Sequence, residues 1–440
     1  MKFQYILVSF FGVMAVISVI VFANAPASSD DPALAGASGK VYVWGTYPIA
    51  GVNEVFQKMN DKYRDSFQVE YQYHDPKTFD RDIVEALASG RGPDVLLLPD
   101  NLVLRHSDKI EQIPYVSLPQ LMFQSMFIQA GEVYMRQSGV VAVPYAIDPI
   151  VMYWNRDLFD NASITVVPTF WDEFLTITPK LTIRDPKTQE ITQSAIAFGE
   201  YANVANAKDI LAMLFLQTGD PIVRMTPQGI PYGDLVRQEG EFVTPDQDVI
   251  SALRYYMDFS NPLKNIYTWS RALPNSRDQF LTGGLAVYFG YASEYKVLKE
   301  KNPHLNFVAA PVPQTRGTDV QITFARMHGF AVLKSSSNKS TAFIAVQKLM
   351  EPEFSGAFAA AYSLPPVRRD LLNVQQTDAA MSVFYDSAIR ARTWLDPKPE
   401  ATDGLFRTAI ESISSGRYDV SQSVSLLGGG LNSELFPYQQ

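Results

Sequence analysis

The chain contains no cysteine. That excludes disulfides, thiolate metal centres and a cysteine nucleophile. Only four histidines occur, His74, His106, His304 and His328, scattered without metal-ligand spacing, and no metal or cofactor is expected. No basic stripe or arginine-rich run interrupts a chain of net charge −9, so nucleic acid is not an expected partner. There is no GxSxG, HExxH, P-loop or GxGxxG string, and with them go the commonest routes to acyl transfer, zinc hydrolysis, phosphoryl transfer and dinucleotide binding. No internal repeat is found at any fixed period.

What is present is a 440-residue chain, 47% hydrophobic, long enough for two or three domains with real cores. Near the N-terminus an apolar stretch runs from Tyr5 to Phe22 behind Lys2. It is longer than an ordinary signal-peptide core and near the lower limit for a membrane span, so residues 1–25 read as either a signal peptide or an anchor. Ala25-Pro26-Ala27 offers cleavage before Ser28. Residues 26–39, rich in Ala, Ser, Asp, Gly and Pro, read as a flexible tether.

Beyond the tether, Lys40–Trp44 alternates as a strand, Val52, Val55, Phe56, Met59 and Tyr63 recur at helical spacing, and Phe67–Tyr73 alternates again. This β-α-β pattern predicts a parallel sheet. Asp75-Pro76 is read as a helix start and Gly90 as its end. Val95–Leu98 is a buried strand with Asp100 at its carboxyl end, where open α/β sheets collect ligands. Asp94 reads as a turn residue bonding nearby amides.

Further on, Thr169 is a candidate helix cap ahead of Trp171-Asp172-Glu173, and Thr244-Pro245-Asp246-Gln247 reads as a capping box. Asn306–Pro311 reads as a strand. Gly428-Gly429-Gly430 reads as a flexible break. The segment Gly139–Phe159 contains two strand-like apolar runs that meet at a polar break, Tyr145–Pro149, carrying Asp148. A break too short for a linker is what a chain shows when it crosses once between two lobes.

The ordered phrases Pro144-Tyr145-Ala146-Ile147-Asp148, Trp154-Asn155-Arg156-Asp157-Leu158-Phe159, Pro168–Phe174, Phe280–Tyr291 and Leu364–Arg368 resemble those of family 1 extracellular solute-binding proteins, the sugar receptors of bacterial ABC importers. The resemblance spans roughly residues 40–400. It implies an α/β, two-lobed periplasmic-binding fold of type II, each lobe a mixed sheet flanked by helices, joined by a hinge. Lobe 1 is expected from 40–145 with 311–350, and lobe 2 from 146–310 with 351–440. It further implies a monomeric extracytoplasmic receptor, not an enzyme, that binds a carbohydrate between the lobes and delivers it to a membrane permease. The absence of cysteine departs from the lipidated cysteine that anchors many members. A sensory or scavenging receptor held by residues 5–22 and an exported glycosidase using Asp100 and Asp148 stand as alternatives.

A pyranose has apolar C–H faces and polar edges, which call for flat aromatics and for Asp, Asn, Gln or Arg. On the resemblance, the expected ligand residues are Trp44, Tyr47, Tyr145, Tyr153, Trp269, Tyr291 and Trp394 for the faces. Asp100, Asp148 and Arg368 are expected for the edges. For each aromatic, core packing is the competing role.

Overall fold

The computed structural model describes residues 34–239, 242–318 and 320–439. The apolar stretch 5–22, the Ser28 junction and most of the tether lie outside them. Among the described residues no helix is long and apolar enough to cross a membrane. By internal contacts the chain divides into two compact units, residues 1–97 with 332–354, and 98–331 with 355–440.

The first unit opens with β1 (Lys40–Gly45), α1 (Ile49–Lys62), β2 (Gln68–Tyr73), α2 (Phe79–Ala88) and β3 (Val95–Pro99). β1 pairs in parallel with β2 on one side and with β3 on the other. Val41 and Val43 alternate inward on β1, and α1 buries Val52, Val55, Phe56 and Met59. Each such fully buried aliphatic contributes about 1.5–3 kcal/mol. Asp75 supplies a turn, not the helix start: its carboxylate accepts from Lys77 N–H and its carbonyl from Phe79 N–H, one turn before α2. Gly90 follows α2 with φ +68°, the left-handed conformation glycine adopts without strain. Asp94 accepts from the Tyr42 amide at 2.9 Å and from the Ser336 hydroxyl at 2.5 Å, tying β1 to the returning segment. The tether's end is fixed: Ser38 exchanges hydrogen bonds with Thr341 at 3.1 Å, and Leu34 is buried.

In the second unit β4 (Val143–Asn155) is the organising strand. The polar break read at Tyr145–Pro149 does not interrupt it. The strand is buried on both faces, its first half pairing antiparallel with Ala325–Phe330 and its second half with Leu285–Tyr291 and Phe307–Ala310. Asp148 is tolerated there because its carboxylate has partners, described below. Around β4 stand β5 (Ile191–Ile196), α3 (Ala207–Leu216), β6 (Val236–Glu239), β7 (Phe242–Pro245), α4 (Gln247–Asp258), β8 (Leu285–Tyr291), α5 (Glu294–Lys301), β9 (Phe307–Ala310), β10 (Thr323–Val332), α6 (Ala379–Arg390), α7 (Pro399–Ser414) and α8 (Val420–Leu435). β5 pairs in parallel with β8, so this sheet is mixed.

Two caps fall beside the residues read for them. At Trp171 the Glu173 carboxylate reaches back to the amides of Thr169 (2.8 Å) and Phe170 (3.2 Å), and the Thr169 side chain does not cap. At α4 the cap is Asp246, accepting from Asp248 and Val249 amides, while Thr244 lies in β7. A buried amide cluster joins these parts. Trp171 Nε1 donates to Gln217 Oε1 at 2.5 Å, and Gln217 Nε2 donates to the carbonyls of Pro313 (3.0 Å) and Ile322 (2.7 Å).

Gly428–Gly430 is not a break but lies inside α8. A Cβ on Gly428 would stand 2.4 Å from Val236 Cγ1, and one on Gly430 would stand 2.5 Å from Leu405 Cδ2. The glycines let α8 approach β6 and α7 closely, and that packing holds helical a segment whose composition favours coil.

Candidate functional site

β4 and β10 set Asp148 directly opposite Arg326. β8 ends at Tyr291, and the turn after it leads into α5. Asp148 accepts from Ser293 twice, from the amide at 3.0 Å and from the hydroxyl at 2.6 Å. Ser293 directly precedes α5, so the carboxylate sits where free helix amides favour negative charge.

Beside it, Asp209 Oδ2 accepts from the Tyr291 hydroxyl at 2.5 Å and from Arg326 Nη2 at 2.7 Å. The guanidinium lies over the Tyr291 ring, 4.1 Å from its centroid. Tyr291 is held further through its backbone: its carbonyl accepts from the buried Tyr153 hydroxyl at 2.7 Å, and its amide donates to Glu294 at 3.0 Å. Tyr153, Tyr291, Asp148, Asp209 and Arg326 therefore form one connected constellation. The Arg326 side chain is 52% exposed, the accessible edge of an otherwise buried group.

Burial pushes the Asp148 carboxyl up to about 6, against the pull of its two bonds from Ser293. Asp100, which begins a short 3₁₀ turn after β3, is 4% exposed, and burial raises it to about 7. It accepts from the Met327 amide at 3.3 Å and from the Thr393 hydroxyl. Asp100 is thus bonded to the residue next to Arg326. His328, on the same strand, is held down to about 3 by burial and by Arg326, so it is neutral.

Trp394 joins through the first turn of α3. There Lys208 donates to Asp396 (2.5 Å) and Thr402 (2.6 Å) and lies over the Trp394 ring at 5.5 Å, while the adjacent Asp209 takes Tyr291 and Arg326. The other residues read as ligand contacts have different surroundings. Tyr145 is buried between Phe330 and Phe358, with ring centroids 4.4 and 4.8 Å away. Trp269 is fully buried and donates to Asn203 Oδ1 at 3.1 Å. Arg368 is engaged bidentately by Asp370 at 3.0 and 2.8 Å. Trp44 and Tyr47 belong to the first unit, both half-buried. Trp44 packs on His74 at 4.2 Å, and the Tyr47 carbonyl accepts from the Tyr71 hydroxyl.

Asp209, Ser293 and Arg326 are absent from the residues read off the sequence. A signal existed for two of them. Arg326 is the one formally charged residue in the β10 string TFARMHGFAV, and Asp209 is the one acid in the largely apolar AKDILAMLFL of α3. A charge placed in an apolar element needs a partner.

Among the described residues no group of three or more His, Asp or Glu is placed to hold a metal ion. The constellation offers carboxylate acceptors and one exposed guanidinium edge backed by the buried Tyr291 ring, a set that binds polyhydroxylated molecules through charge-assisted hydrogen bonds.

The family model described as bacterial extracellular solute-binding protein matches residues 54–383. Among solved structures, the sugar-binding protein MalE of Xanthomonas citri is similar at 19% identity, covering 90% of this chain and 98% of its own, with a TM-score of 0.71. The cyclic α-maltosyl-1,6-maltose binding protein of Arthrobacter globiformis is similar at 15% identity, covering 91% and 99%, with a TM-score of 0.73. The GacH receptor of Streptomyces glaucescens, solved with acarbose, is similar at 18% identity, covering 91% and 99%, with a TM-score of 0.66. A search of curated protein sequences returns no match. The fold is the mixed α/β, type II fold of periplasmic sugar-binding proteins.

Proposed function

The chain belongs to the bacterial extracellular solute-binding protein family, and on that premise we propose that it is the carbohydrate receptor of an ABC importer, taking an oligosaccharide and handing it to a membrane permease. The observation that carries the reading is the constellation around Asp209, in which Tyr291 and Arg326 meet one carboxylate beside Asp148. Such a group supplies acceptors for sugar hydroxyls and a donor for ring and glycosidic oxygens. Two of the similar structures named above are described with acarbose and as a binder of cyclic α-maltosyl-1,6-maltose, and an α-linked glucan is the first class to offer this chain.

The assignments to residues are part of the proposal. Asp148, Asp209 and Arg326 read the polar edges. Tyr291 backs the Arg326 guanidinium and Trp394 packs under Lys208, so both support the polar groups from beneath. Asp100 positions β10 through Met327. Tyr145 and Trp269 serve the core. Asp100 and Asp148, the pair a glycosidase would use, are both committed to internal donors, which favours binding over hydrolysis. The protein acts as a monomer outside the cytoplasm. N-terminal sequencing of the mature product separates release by cleavage before Ser28 from anchoring through residues 5–22.

Asp148→Ala tests the site. Loss of a charge-assisted hydrogen bond weakens sugar binding by about 10- to 100-fold, with a melting temperature no lower than that of the parent. Unchanged affinity by calorimetry removes Asp148 from the site.

A further inference from the structure

Ser293 faces two ways. Its amide and hydroxyl serve Asp148, and it also lines a pocket of about 310 Å³ between α5, the turn at Tyr362–Ser363 and the start of α6. That volume is at the lower end of small-molecule sites. Three rings, Tyr295, Tyr362 and Phe384, supply its apolar walls. Lys296 and Lys299 bring two amines, and Asp378 one carboxylate.

Lys296 stands 4.0 Å from the Glu300 carboxylate, which leaves Lys299 as the cation to account for. Asp378 caps α6 by accepting from the Met381 amide at 2.8 Å. Lys299 lies over the Phe307 ring at 4.2 Å, and its hydrogen bond, to the Phe307 carbonyl, is 3.4 Å long. Among the described residues no carboxylate stands within ion-pair reach of it. Burial lowers its pKa, the sign of a cation short of a counter-charge. The pocket thus combines ring surfaces, the hydroxyls of Ser293 and Ser363, an acceptor in Asp378 and an uncompensated ammonium.

We propose that this pocket is a second ligand site that takes an acidic monosaccharide of the hexuronate type, with its carboxylate on Lys299 and its ring against Tyr295 and Phe384. The site stands whether or not the Asp148 constellation takes a glycan. Because Ser293 is common to both, occupation of the pocket bears on how Asp148 is held.

The test is calorimetric titration of the full-length protein with D-glucuronate and, separately, with D-glucose. Glucuronate is expected to bind, and glucose to bind at least about tenfold more weakly, the value of one charge-assisted contact. Lys299→Met weakens glucuronate by a similar factor while keeping the aliphatic stem and the melting temperature, and Lys299→Gln serves should the methionine variant unfold. Arg326→Met removes the exposed guanidinium of the Asp148 constellation and so tells the two sites apart. No binding of glucuronate, or equal binding of glucose, overturns the proposal. So does loss of binding in Arg326→Met with retention in Lys299→Met, which assigns the carboxylate to the constellation instead.

Discussion

Replacing Asp100 by Asn should change the sign of its effect on stability across the acid range. The carboxyl is 4% exposed, and burial raises it from 3.8 to about 7. Between those values the folded protein holds a proton that the unfolded chain releases, so stability falls as pH rises and levels off above the folded pKa. The full penalty is about 4 kcal/mol at ~1.36 kcal/mol per pH unit, and roughly 2–3 kcal/mol of it develops between about pH 5 and pH 7.5. Asn keeps an oxygen for the Met327 amide and turns a donor toward Thr393, whose hydroxyl can accept instead. Imperfect replacement of these bonds costs about 1 kcal/mol. The variant is therefore less stable than the parent near pH 4 and more stable near pH 8. Urea denaturation of both proteins at several pH values measures the difference, and groups that titrate alike in the two cancel. Parallel stability curves would refute the reasoning, because they would mean that Asp100 is ionised and satisfied where it lies.

Other substitutions test the packing. Gln217→Leu strands the Trp171 N–H and the Pro313 carbonyl, while Ile322 keeps a bond from Gln314; a loss of about 2–5 kcal/mol is expected by denaturation, and Trp171→Phe with Gln217→Leu should cost less than the two singly. Gly428→Ala should destabilise by about 1–2 kcal/mol, because a Cβ 2.4 Å from Val236 outweighs the ~1 kcal/mol gained in helix propensity. Gly429→Ala, with nothing within 4 Å of the new methyl, should stabilise by about 0.5–1 kcal/mol, and equal effects at the two positions would show that close approach is not why α8 carries glycine.

The parts of the fold that were legible in the sequence are those where periodicity and burial agree. β1, α1 and β2 follow directly from the alternation of Val41 and Val43 and the helical spacing of Val52, Val55, Phe56 and Met59. Asp94, read as a residue that bonds amides, does so at Tyr42. Local pattern misled where tertiary contacts override it. A polar pentapeptide around Asp148 continues as strand because Ser293, far along the chain, satisfies the carboxylate. Three glycines remain helical because α8 is pressed against Val236 and Leu405. In the constellation, Asp148 and Tyr291 stand out in their phrases, whereas Asp209 and Arg326 show only as lone charges in apolar elements. Their significance lies in meeting each other across 117 positions of sequence, which no local window contains.

Carbohydrate binding is measured by a thermal-shift screen of residues 28–440 against malto-oligosaccharides, other glycans, amino acids, polyamines and phosphate esters. A ligand at ~100 times its dissociation constant adds about 2.7 kcal/mol to the folded state, a shift of a few degrees or more. A carbohydrate receptor shows a shift with one glycan class, the glycan being recovered intact. A shift with a polyamine or phosphate ester and none with any sugar would contradict that role.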